Sequence, residues 1–323
     1  RFDGVTGVQT CALPIFFSKP FFSSSQKGMK KMKHAQKYRY FSLLMGLVLL
    51  LSACQIGATT KNDNQAATKE ATVELNRTTT PTLFFHGYAG TKNSFGSLLH
   101  RLEKQGATTQ ELVLLVKPDG TVVKERGALS GKATNPSVQV LFEDNKNNEW
   151  NQTEWIKNTL LYLQKNYQVN KANIVGHSMG GVSGLRYLGT YGQDASLPKI
   201  EKFVSIGAPF NDFIDTSQQQ TIETELENGP TEKSSRYLDY QEMINVVPEK
   251  LPILLIGGQL SPTDLSDGTV PLSSALAVNA LLRQRGTQVT SQIIKGENAQ
   301  HSQLHENPEV DQLLIEFLWP SKK

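Results

Sequence analysis

In this 323-residue chain, one serine between glycines, a handful of histidines and two aspartates in a polar turn are the residues whose types and spacing suggest chemistry. Gly176-His177-Ser178-Met179-Gly180 follows the apolar pair Ile174-Val175 and precedes a helix-like segment. That context suits a sharp strand-to-helix turn, where the serine takes a strained backbone conformation and its hydroxyl stands exposed above a sheet. Glycine two residues to either side lets strand and helix approach without a Cβ clash. Gly-x-Ser-x-Gly is common by chance, so its partners decide its meaning. A nucleophilic serine needs a base to take its proton, a carboxylate to orient that base, and N–H donors for the oxyanion.

Five histidines follow residue 54: His86, His100, His177, His301 and His305. His177 lies within the turn and should point away from the Ser178 hydroxyl. His100 falls on the polar side of the first helix, and His86 belongs to the first loop. That leaves His301 and His305, between the last strand and the last helix, as candidate bases. Candidate acids are Asp264 and Asp267, in the polar loop Ser261-Pro-Thr-Asp-Leu-Ser-Asp-Gly-Thr-Val-Pro271 that follows Ile253–Ile256 and Gly257-Gly258.

These residues need a scaffold, and the chain alternates strand and helix signals from residue 81 onward. Thr82–Phe85 reads as a buried strand, and Phe95, Leu98, Leu99 and Leu102 recur at helical spacing until Gly106. Glu111–Val116 and Thr121–Lys124 flank a Pro118-Asp119-Gly120 turn, predicting a hairpin. Val138–Phe142, Asn173–Val175, Phe203–Ile206, Ile253–Ile256 and Val289–Ile294 read as further strands. Ile156, Leu160, Leu163 and Tyr167 mark one helix face. A last helix is capped by Asn307, opens on Pro308, and is expected to bury Val310, Leu313, Leu314 and Phe317. The alternation predicts an α/β domain over residues 81–323, a mostly parallel central sheet with helices on both faces.

The residues before that domain read differently. Val5–Ile15 resembles a translated sequencing adapter, so residues 1–28 are expected to be an assembly artefact, with Met29 or Met32 as the start. Residues 29–53 have the plan of an export signal: Lys30, Lys31, Lys33, Lys37 and Arg39, the apolar run Phe41–Leu51, then Ser52-Ala53. Leu51-Ser52-Ala53-Cys54 resembles a bacterial lipobox, which implies a lipid anchor on Cys54. Residues 54–80, rich in Thr, Asn, Ala, Lys and Gln, read as a disordered tether.

Residues 1–54 carry eight of the 33 Lys and Arg and one of the 30 Asp and Glu. Residues 55–323 therefore have 25 basic and 29 acidic side chains and a net charge of −4. The basic balance of the whole chain belongs to the leader and gives no support to nucleic-acid binding. Cys11 and Cys54 are the only cysteines, so the domain can form neither a disulfide nor a cysteine metal site.

Several motifs share one resemblance. His86-Gly87-Tyr88 resembles the His-Gly motif that opens an oxyanion loop, which implies the amides of Tyr88 and Met179 as oxyanion donors. Asp267-Gly-x-Val-Pro271 resembles the acid loop of many α/β-hydrolases. His301-Ser-Gln-Leu304, with Val310 downstream, resembles the His-x-x-Leu pattern of small bacterial lipases. Together with Phe85–Thr91, Gly207-Ala-Pro-Phe-Asn211 and His301–Pro308, they make residues 81–323 resemble the cell-surface α/β-hydrolases of Gram-positive bacteria. The resemblance implies the α/β-hydrolase fold and a triad of Ser178, Asp267 and His301 in the chain order expected for it. Asp264 and His305 are the competing choices.

The expected activity is acyl transfer from a small acyl ester to water through an acyl-enzyme, with no metal or organic cofactor. Residues 212–240, where an apolar lid would lie, are polar, with only Ile214, Ile222 and Leu226 scattered among them. A small or water-soluble ester is therefore expected in preference to bulk triglyceride. An amidase, or an acyltransferase acting on cell-envelope components, would use the same triad. A surface binding protein on a hydrolase scaffold is the alternative outside enzyme chemistry.

Overall fold

The computed structural model describes residues 74–321. The expected artefact, export signal, lipidated Cys54 and tether as far as residue 73 lie outside the described residues. In chain order the elements are β1 (Thr82–Phe85), α1 (Lys92–Lys104), β2 (Thr109–Val116), β3 (Val122–Gly127), β4 (Pro136–Phe142), α2 (Glu149–Tyr167), β5 (Lys171–His177) and α3 (Met179–Tyr191). Then come β6 (Lys199–Ile206), β7 (Phe210–Phe213), α4 (Ile222–Asn228), α5 (Ser235–Met243), β8 (Pro252–Gln259), α6 (Leu272–Leu276), α7 (Asn279–Arg285), β9 (Gln288–Lys295) and α8 (Pro308–Leu318).

Eight strands form one sheet in the order β3-β2-β4-β1-β5-β6-β8-β9. Every neighbouring pair is parallel except β2–β3, the hairpin closed at its turn by Lys117 N–H donating to the Thr121 carbonyl. The alternation of side chains along the strands divides the core into two layers. Leu83, Phe85, Ile174, Phe203, Ile253 and Leu255 face α2, α3 and α5–α7. Phe84, Val175, Val204, Ile206, Leu254 and Ile256 face α1 and α8 on the other side. Strands buried on both faces explain the continuous apolar runs in the sequence. The result is the α/β-hydrolase fold, as expected.

Local signals set the helix ends. Thr91 and Ser94 form a capping box at α1, each side chain accepting from the other's N–H, and Asn307 Oδ1 accepts from Glu309 N–H at α8. The buried face of α8 is rotated from the expected one: Val310, Asp311, Leu314, Ile315 and Leu318 are buried, whereas Leu313 and Phe317 are half-buried. Arg101 of α1 accounts for the rotation. Its guanidinium donates to both carboxylate oxygens of Asp311, at 2.5 and 2.9 Å, and to Glu306, drawing an acidic residue inward where periodicity alone favours an apolar one.

At the opposite end of the sheet from Ser178, residues 74–80 are tied down. Asn76 N–H donates to the Pro320 carbonyl at 3.0 Å, and Leu75 bridges to Ser321. Asn135 organises this corner with a left-handed φ of 49° and a fully buried side chain. Its Oδ1 accepts from Thr78 N–H, and its Nδ2 donates to the carbonyls of Asn76 and Ala107. Asn135→Ala removes three hydrogen bonds and places a Cβ-branched-free but unsupported residue at positive φ, so it should cost about 3 kcal/mol. Urea unfolding checks this, and the activity per folded molecule should be unchanged because the site lies at the other end of the strands.

Candidate active site

β5 ends at His177 and α3 begins at Met179, leaving Ser178 alone at the corner with φ 53° and ψ −124°. This is the strained turn expected from the sequence. Its cause is close approach of backbone to backbone: a Cβ on Gly180 would lie 2.2 Å from the Phe85 carbonyl oxygen, and one on Gly176 would lie 2.4 Å from Gly180. Ser178 N–H donates to the Ile206 carbonyl at 2.8 Å, fixing the corner to β6. Among the described residues the Ser178 hydroxyl forms no hydrogen bond.

The loop after β1 packs directly onto this corner. A Cβ on Gly87 would stand 2.7 Å from Ser178 Cβ and 3.3 Å from its Oγ. His86 is buried and spans two backbones: Nδ1–H donates to the Gly87 carbonyl at 2.8 Å, and Nε2 accepts from Phe142 N–H at 3.0 Å. Those two partners require the neutral ring, and burial lowers its pKa accordingly. Ala89 N–H donates to the Asn145 carbonyl at 2.7 Å, clamping the far side of the loop. The N–H groups of Tyr88 and Met179 donate to no loop or cap acceptor among the described residues. The Tyr88 side chain is exposed.

Asp267 and His301 come together on the loops after β8 and β9. Asp267 Oδ2 accepts from His301 Nδ1 at 2.7 Å, and its Oδ1 accepts from the N–H groups of Thr269 and Val270 at 2.9 and 2.7 Å. The carboxylate is fully buried, and the imidazole is largely buried. Gly207 makes room for the pair: at φ 57°, its added Cβ would meet Asp267 Oδ2 at 3.1 Å and His301 Nδ1 at 3.3 Å. The competing residues are engaged elsewhere. Asp264 is exposed and accepts from Ser266 Oγ within its own turn, while His305 Nδ1 faces Glu306 at 3.2 Å. Among the described residues no group of three or more His, Cys, Asp or Glu could hold a metal ion.

The family described as "Alpha/beta hydrolase of unknown function (DUF915)" matches residues 69–321. This chain belongs to that family. Two similar solved structures come from Gram-positive bacteria. The product of gene lin2722 from Listeria innocua is 26% identical with a TM-score of 0.69, over 76% of this chain and 95% of that chain. "The putative cell surface hydrolase from Lactobacillus plantarum WCFS1" is 25% identical with a TM-score of 0.61, over 74% of this chain and 91% of that chain. None of the curated proteins matches. Fold and family thus make this chain a member of the α/β-hydrolase superfamily.

Three arrangements in this DUF915 hydrolase were not legible in the sequence. Gly207 is one; its place in Gly207-Ala-Pro-Phe-Asn211 was the available signal. A buried ion network is the second: Glu149 pairs with Arg186 at 2.6 Å and with Arg236 at 2.6 Å, and Arg236 also donates to the Pro209 carbonyl and pairs with Asp212. It holds the start of the segment between β6 and β8 against α2 and α3.

The third is the set of imidazoles beneath the Asp267–His301 pair. The His177 ring lies 4.7 Å from the rings of both His301 and His305. Burial, then the charges of His301 and His305, push its pKa well below the usual value; burial also lowers that of His305. In the unfolded chain these rings protonate near pH 6.5, about the ordinary value. Below that pH the unfolded state therefore binds protons that the folded state refuses, so stability falls as pH drops from about 6.5 toward the lowered pKa values. Urea midpoints measured from about pH 7 down to pH 5 should decline, and less steeply in His177→Gln.

Proposed function

We propose that this protein is a serine ester hydrolase working through an acyl-enzyme. The observation that carries the reading is the 2.7 Å Asp267–His301 hydrogen bond at the strand ends beside Ser178, a residue held at φ 53°. Strain of that kind is retained where it aims a reacting group.

In the first half-reaction His301 Nε2 takes the Ser178 proton as Oγ bonds to the ester carbonyl carbon. Asp267 holds the Nδ1–H and stabilises the imidazolium that forms. The Tyr88 and Met179 N–H groups donate to the oxyanion, each contributing about 3 kcal/mol in the transition state. His301 then gives its proton to the departing alkoxide, leaving acyl-Ser178. Water attacks the acyl carbon as His301 takes its proton, and collapse returns that proton to Ser178 with release of the carboxylic acid.

The segment between β6 and β8 supports a small or water-soluble ester. Phe210, Tyr237 and Tyr240 are buried, and Ile222 and Leu226 pack against the core, so most of its apolar side chains are withheld from solvent. Gln218 and Gln219 are exposed, with Phe213 and Leu238 as the apolar exceptions. The lipobox-like Leu51-Ser52-Ala53-Cys54 supports an exported enzyme anchored through a lipid on Cys54 at the outer face of the cytoplasmic membrane. Among the described residues no helix is long and apolar enough to cross a membrane.

A fluorescent fluorophosphonate should label the parent and neither Ser178→Ala nor His301→Ala. Turnover of a soluble short-chain ester should fall by about 10⁴-fold to 10⁶-fold in Ser178→Ala. Equal turnover by parent and Ser178→Ala would end this reading. For the anchor, Cys54→Ala in the full chain should move the protein from the membrane fraction to the medium; retention on the membrane would contradict it.

A further inference from the structure

His177 is within the motif that carries the nucleophile, yet its side chain takes no part in the reaction described above. Its ring is buried, and Nε2 lies 3.0 Å from the main-chain carbonyl of His301. A carbonyl only accepts, so Nε2 carries the proton and donates it. His301 is thereby held at both main-chain groups as well as at its ring. Its N–H donates to the Asp267 carbonyl at 2.8 Å, its Nδ1 binds the Asp267 carboxylate, and its carbonyl accepts from His177.

We infer that His177 is a positioning residue, whose Nε2–H fixes the loop carrying His301 at a set distance from Ser178. The inference rests on the serine-hydrolase reading. The geometry gives the reason for placing this role here: His177 is joined to Ser178 by one peptide bond, so a hydrogen bond from its ring ties nucleophile and base together without touching either reacting atom. Asp267 fixes the tilt of the imidazole, whereas His177 fixes where the loop stands. His305 closes the arrangement from behind. Its ring meets His177 edge-on, and its own carbonyl accepts from Arg101 Nη2 at 2.9 Å, so the loop cannot relax away from the elbow without breaking the α1 contact.

Removing the donor while keeping a ring isolates the hydrogen bond. His177→Phe should lower kcat by about tenfold to a hundredfold with KM nearly unchanged, because a base displaced by about an ångström loses the reacting geometry and not substrate binding. The rate of fluorophosphonate labelling should fall by the same factor. His177→Gln, whose amide nitrogen reaches about as far as Nε2, should restore most of both. Unchanged kcat in His177→Phe overturns the inference, as does a folded His177→Gln that is as slow as His177→Phe. Should either variant fail to fold, parent protein with ¹⁵N-labelled histidine gives the answer: His177 is expected as the neutral Nε2–H tautomer at neutral pH, and an Nδ1–H tautomer overturns the inference. The two readings fail separately. Turnover that survives Ser178→Ala removes the hydrolase mechanism, whereas loss in Ser178→Ala with full activity in His177→Phe removes only the positioning role.

Discussion

Backbone can approach backbone this closely only where no Cβ stands between them, and the centre of this molecule is built on that contact. Gly180 lies against the Phe85 carbonyl, Gly176 against Gly180, and Gly87 against Ser178. Three elements, β1, β5 and α3, thus meet within the width of a peptide. The serine at their junction has no room for an ordinary conformation, and its positive φ is a product of that packing. The cost is of order 1–3 kcal/mol, carried by the core layers on either side. The same contact packs the loop after β1 against the start of α3.

Around that corner the loops are held mainly by hydrogen bonds to backbone. Asp267 receives two N–H groups from its own turn, His86 joins the Gly87 carbonyl to the Phe142 amide, and Asn145 holds Ala89. Main-chain partners have little freedom to move, so side chains fixed to them inherit the rigidity of the sheet. The ion network of Glu149, Arg186 and Arg236 is of another kind. Buried charge pairs repay much of their own desolvation cost and stabilise little in net terms, but they tolerate few alternative arrangements, which suits a segment that must stay in register beside Gly207.

The sequence made the sheet and its long helices legible because their signals are local: apolar runs for β1, β5, β6 and β8, helical periodicity for α1 and α2, and Asn307-Pro308 for the start of α8. The segments β7 and α4–α7 were not placed, since they are short and their form depends on what they pack against. Within the site, residue types were legible but the direction of each side chain was not. His301 and His305 share a loop of a few residues, yet one Nδ1 faces Asp267 and the other faces Glu306. Asp264 and Asp267 share a turn, yet only Asp267 is buried toward the histidine. The rotation of α8 was hidden for a similar reason, because Arg101 lies 210 residues from Asp311 in sequence and meets it only in the fold.

The corner around Asn135 bears on how the chain is threaded. Asn76 and Pro320 are hydrogen-bonded to each other, so the two ends of the domain already touch, at the pole away from Ser178. A linker of a few residues between residues 74 and 321 would close the domain into a ring. The ring could then be reopened in the edge hairpin at Lys117–Thr121, where β2 would remain paired with β4 and β3 with β2. The order of elements would be permuted, while the loops after β1, β5, β8 and β9 would each stay covalently intact. For this architecture, the order in which the elements are strung is separable from the way their loops meet.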